Sequence, residues 1–156
     1  CPNFFCSERR TMVKADAFGS FLVASTVGLF VVVYTFRIPH MITQNPSIVD
    51  EYYVGNFCWA FPVDIALIGA YLALSLSIAH IAGRTSCAQV VVATSLTTAL
   101  LTGLFAAFFR SRPRDPNNIY SKWFHDVGYA SALYDVILVV CVYLLHEFMM
   151  NTLKRA

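Results

Sequence analysis

Asp64, His80, Asp135 and the neighbours His146 and Glu147 lie inside, or at the ends of, long apolar runs. An ionisable group in that setting is costly, so it faces a protein interior or a cavity and marks either a pathway for protons or ions or a buried hydrogen bond. Asp135 is the most informative of them. It sits about three residues from the midpoint of its run, or about 4.5 Å along a helix axis, on a stripe with Ser131, Leu138 and Val142. One chemistry open to it is a relay with Asp64 or His80. The other is a carboxyl group held by Thr or Tyr hydroxyls, favoured because Asp64 opens its own run and leaves no second carboxylate at comparable depth. His146 and Glu147 stand where side chains reach back to the membrane surface.

Other chemistry-bearing patterns are missing. There is no GxSxG, no phosphate-binding loop, no CxxC and no His/Asp/Glu cluster at ligand spacing, so neither an enzyme nor a bound metal or cofactor is expected. Of the five cysteines, Cys141 lies in an apolar run where it acts as a small hydrophobe, Cys87 follows a short connection, and only Cys1, Cys6 and Cys58 are candidates for pairing. A chain that starts at Cys1 rather than Met is expected to be processed or partial. A net charge of +2 is too small to argue for nucleic acid.

The elements that carry these residues are four apolar runs, at 18–36, 63–83, 88–109 and 127–149. Each approaches the ~20 residues that a helix needs to cross a hydrocarbon core of ~30 Å. Charged residues make up 13% of the chain and hydrophobic ones 58%, against roughly a quarter charged in a soluble domain. Without water in the bilayer, each backbone amide must be satisfied within its segment, and continuous apolar runs do not alternate as barrel strands do. The expected fold is all-α: an integral membrane protein with four transmembrane helices in an antiparallel bundle. Its parts are a polar tail at 1–17, the helical domain at 18–151 with an interfacial connection at 37–62 and a basic one at 110–126, and a tail at 152–156.

Small residues recur at four-residue spacing: Ser20, Ala24 and Gly28; Gly69, Ala73 and Ser77; Ser95, Ala99, Gly103 and Ala107. Such stripes let membrane helices approach closely, so Gly103→Leu is expected to disturb packing more than Leu104→Ala. A neighbouring row, Thr94, Thr98 and Thr102, offers hydroxyls to its own turn or to another helix. In the first connection, Asn45-Pro46 starts a short interfacial helix through about Val54. The aromatics after it, Tyr52, Tyr53 and Trp59 among them, suit the headgroup level. With Arg110, Arg112, Arg114 and Trp123 they form an expected docking surface for an anionic headgroup or a protein layer.

Two segments carry a resemblance. Asn56-Phe57-Cys58-Trp59-Ala60-Phe61-Pro62-Val63-Asp64, running on to Ile68-Gly69-Ala70-Tyr71-Leu72, is the first. Trp123-Phe124-His125-Asp126-Val127-Gly128-Tyr129, with Tyr134-Asp135-Val136-Ile137-Leu138-Val139 and Tyr143-Leu144, is the second. In order and content they resemble a family of small multi-span membrane proteins of nucleocytoplasmic large DNA viruses, the algal viruses included. The resemblance implies a structural protein of the virion's internal membrane that organises the capsid shell, with lipid and capsid or membrane-assembly proteins as partners. A transporter, channel or accessory subunit of an energy-transducing complex, using Asp135 and Asp64, is the alternative.

Basic residues divide six to five between the two sides, Arg9, Arg10, Lys14, Arg84, Lys154 and Arg155 against Arg37, Arg110, Arg112, Arg114 and Lys122, which sets no orientation. An even number of spans places both termini together. Impermeant thiol reagents should therefore label Cys6 and a cysteine introduced by Ala156→Cys from the same side of a sealed vesicle; labelling from opposite sides would overturn the even-span topology.

Overall fold

The computed structural model describes residues 3–83 and 86–155, with side chains from residue 16 onward. Every described element is helical. α1 (Asn3–Leu29) passes into a π-helical stretch, Phe30–Thr35, and is followed by α2 (Ile38–Ile42) and α3 (Pro46–Asp50). A second π-helical stretch, Glu51–Gly55, leads into α4 (Phe57–Ile81), then α5 (Cys87–Arg110), α6 (Ile119–Asp126) and α7 (Ala130–Leu153). Four stretches are long and apolar enough to cross a membrane: Asp16–Thr35, Phe57–Ile81, Cys87–Arg110 and Ala130–Leu153.

Local chemistry explains most of the boundaries. Ser86 starts α5 with a reciprocal cap, its Oγ accepting from the amide of Gln89 while the Gln89 side chain accepts from the amide of Ser86. Asn118 starts α6 by accepting from the amides of Tyr120 and Ser121. Between α6 and α7 the backbone turns at Gly128, φ 62°, where a Cβ would also collide with the guanidinium of Arg110. The positive φ is what demands glycine, since the arginine tip can move aside. α4 begins at Phe57 rather than at residue 63, because Pro62 falls within its early turns and costs it only one hydrogen bond near an end.

α7 packs against both α5 and α1, and α4 packs against α5. The shared interior holds Ala24 and Leu29 of α1, Ala106 of α5, and Leu138, Val139 and Val142 of α7. A hydrogen bond of 2.8 Å between Ser20 Oγ and His146 Nδ1 ties α1 to α7, so His146 is engaged inward. The opposite faces carry exposed Leu96, Leu100, Leu104, Leu133 and Phe148, an apolar surface of the kind that lipid covers.

The small-residue stripes are only partly at the contacts. Ser20, Ala24 and Gly28 are buried, and a Cβ built on Gly28 would stand 2.7 Å from Cγ2 of Val142. Gly69 faces Phe21. Ala73, Ser77 and Ala107 are exposed, Ser95 and Ala99 are half-buried, and nothing lies within 4 Å of a Cβ on Gly103. On α5 the packed row is Thr94, Thr98 and Thr102, all fully buried. One residue of offset turns a helix face by about 100°, which is enough to swing the small-residue stripe out of the contact.

Gly28→Ala should therefore destabilise the protein by about 1–3 kcal/mol through overpacking against Val142, whereas Gly103→Ala should gain up to about 1 kcal/mol of helix propensity. Thermal unfolding of both variants in detergent checks this. A Gly28→Ala protein as stable as the parent would show that α1 and α7 are not held at this distance.

Candidate ligand cavity

Five parts of the chain converge on one cavity of about 340 Å³. α4 contributes Asp64 and Tyr71, α7 contributes Tyr134 and Asp135, α5 contributes Phe105 and Phe109, and the second π-helical stretch and α6 close it with Tyr52, Tyr53, Tyr120, Trp123 and Phe124. Asp64 and Asp135 both line it. Asp64 lies about 10 Å into α4 and Asp135 about 8 Å into α7, at 1.5 Å per residue.

The carboxylates are held by hydroxyls. Tyr52 donates to Asp64 Oδ1 at 2.9 Å, and Thr102 of α5 donates to Asp135 Oδ2 at 2.6 Å. Asp64 Oδ2 is buried without a hydrogen-bond partner. A buried acceptor left unmade carries a penalty of about 1–3 kcal/mol, more when charged, so Asp64 is the less well satisfied of the two. The hydroxyls of Tyr53 and Tyr134 lie 2.5 Å apart. Burial first, then the charge of Asp64, pushes the Tyr52 and Tyr53 phenols well above the usual tyrosine range. Both are neutral hydroxyl donors.

Aromatic packing builds the rest. Trp123 lies tilted against Tyr52 at 4.9 Å between ring centroids and edge-on to Tyr53 at 6.0 Å, while Phe124 stacks on Phe109 at 5.2 Å. A π-turn has more residues per turn than an α-turn, so consecutive side chains diverge less and both Tyr52 and Tyr53 face inward. Outside, Lys122 pairs with Glu51, and Asp126 accepts from both Arg114 at 2.8 Å and Asn45 at 3.1 Å. These contacts fasten α6 over the first connection.

Several expectations are corrected. Tyr52, Tyr53 and Trp123, read as a docking surface, are 5%, 6% and 6% exposed, because their rings pack on one another and line the cavity. Trp59 is exposed. The arginines are engaged within the chain: Arg110 over the ring of Tyr129, Arg112 on Phe108 and Arg114 with Asp126. Asp64 lines the same cavity as Asp135. His80 is exposed near the far end of α4, roughly 24 Å along the axis from Asp64, and takes no part. The hydroxyls of Thr94 and Thr98 are buried without partners. Cys58, Cys87 and Cys141 are free thiols, while the side chains of Cys1 and Cys6, like the residues Arg84 and Thr85 of the α4–α5 connection, lie outside the described residues. Among the described residues no three His, Cys, Asp or Glu side chains gather as a metal site.

Comparison with protein-family models, curated proteins and solved structures returned no match for this chain.

The partner pattern predicts a split within one row of threonines. Thr102→Val should destabilise the protein by about 0.5–2 kcal/mol by stripping Asp135 of its donor, while Thr94→Val and Thr98→Val should be neutral or stabilising because each removes an unpaired hydroxyl. Thermal unfolding in detergent reads all three; equal losses would mean that the Thr102–Asp135 bond carries no special weight.

Proposed function

We propose that this chain is an integral membrane protein, a four-helix antiparallel bundle with both termini on one face, that holds a small solute between its helices in the manner of a carrier or receptor. The observation that supports it is an aromatic cavity about 340 Å³ in volume whose lining includes two carboxyl groups, Asp64 and Asp135. Small-molecule sites run to about 300–1,000 Å³, apolar with a few placed polar groups. A bare proton relay has no use for that space. Intramembrane carboxylates facing a cavity are also the usual mark of a substrate or ion pathway.

The scaffold reading, a structural protein of a viral internal membrane, rests on the resemblance. Of its proposed contact surface, Trp59, Arg110, Arg112 and Arg114 remain exposed. Solute binding asks more of the residues that are buried.

The test is a thermal-shift screen of the purified protein in detergent, with cationic, neutral and anionic aromatic compounds, beside a variant whose cavity is filled by Leu67→Trp. At about a hundredfold excess over Kd, a ligand should raise the parent's midpoint by about 5–10 °C and leave the filled variant unmoved. If no class of compound shifts the parent, or the filled variant responds equally, solute binding at this cavity is wrong.

A further inference from the structure

We propose that the occupant of this cavity is an organic ammonium cation carrying a small apolar body, held between the carboxylates of Asp64 and Asp135 and the faces of Tyr52, Trp123 and Tyr134. The proposal rests on the cavity being a binding site and adds the charge and shape of its ligand.

Charge is the first ground. Two carboxylates line the cavity, and no basic side chain does. The cations nearest the cap are committed elsewhere, Lys122 to Glu51, Arg114 to Asp126 and Arg110 to the ring of Tyr129. A buried carboxyl group ionises most readily against an arriving cation, and once ionised repels an arriving anion. Tyr52 and Thr102 each donate to a carboxylate, yet Asp64 Oδ2 still has no partner. What this lining lacks is a donor, and beside two carboxyl groups a cationic donor fits best.

The walls are the second ground. Tyr52, Tyr53, Trp123 and Tyr134 pack mostly edge-to-face, with centroids 4.8–6.3 Å apart, and Tyr and Trp faces attract cations, most strongly once water is excluded. Aromatic cages of this composition suit alkylated ammonium groups. An inorganic cation would need a shell of oxygen ligands, whereas Phe105, Phe109 and Phe124 offer a surface for an apolar group. An ammonium group joined to a hydrophobic body satisfies both halves of the lining. That chemistry is shared by free aromatic or alkyl amines and by the choline headgroup of a lipid.

A matched trio of probes tests the charge. In a Trp59→Phe background Trp123 is the sole tryptophan, so its emission reports on the cavity. Benzyltrimethylammonium should titrate it saturably in maltoside micelles, with a Kd at least about tenfold below that of its uncharged carbon isostere, neopentylbenzene. Phenylacetate should not bind. Asp64→Asn, which keeps an acceptor for Tyr52, should weaken the ammonium probe by at least about tenfold with helicity unchanged by circular dichroism. The comparison of probes on the parent protein stands even where that variant fails to fold. Adding phosphatidylcholine separates the two sources: severalfold weaker apparent binding of the probe assigns the site to the lipid headgroup, and unchanged binding assigns it to a free amine. Equal binding of the isostere and the cation would overturn the cationic ligand while leaving the solute site in place. Binding of none of the three, together with no response in the broader screen, would remove the site itself.

Discussion

A carboxylate taken out of water has to be met by hydrogen-bond donors or by an opposite charge, and the arrangement of this protein around Asp64 and Asp135 follows from that demand. Neither of these helices supplies the donor. Thr102 comes from α5 and Tyr52 from the π-helical stretch ahead of α4. Meeting the demand therefore draws three helices and a connection to one level, and the aromatic rings that accompany Tyr52 close the space above. Satisfaction is incomplete at Asp64 Oδ2. A fold that wanted only packing would have filled this space with leucine at lower cost.

The four long helices were legible in the amino-acid sequence because hydropathy over some twenty residues is a strong signal, independent of how helices meet. Relations between helices were not. Placing the start of α4 at residue 63 put Asp64 at the membrane surface and hid its partnership with Asp135, since Pro62 and the run of aromatics read as an interfacial segment. Phe57 to Phe61 are in fact the opening of the helix. Likewise a stripe of small residues and a stripe of threonines lie side by side on α5, and periodicity alone does not say which is turned inward. Burial of three threonines chose the second.

Tyr52, Tyr53 and Trp123 show the same limit at single residues. An aromatic beside a membrane span suits the headgroup level, a protein interface and a cavity lid equally well, because a large amphipathic ring serves all three. What separates them is the neighbour. Here the decisive neighbours are α6, which no apolar run announces, and the widened turn that points two consecutive tyrosines the same way. The expectation that Asp135 would be hydrogen-bonded by a Thr or Tyr hydroxyl needed no such detail, and Thr102 supplies that bond.

The contacts that fasten α6 over the first connection have a consequence for its response to salt. Glu51 and Arg114 are 43% and 50% exposed at their side chains, and ion pairs of that kind contribute about 0–1 kcal/mol each and fade as salt rises. They set the register of the cap without holding it shut. The rings beneath, packed edge to face, hold α6 against the π-helical stretch by contacts that salt does not screen. Docking of α6 is thereby governed by aromatic packing, with little sensitivity to the ionic strength outside.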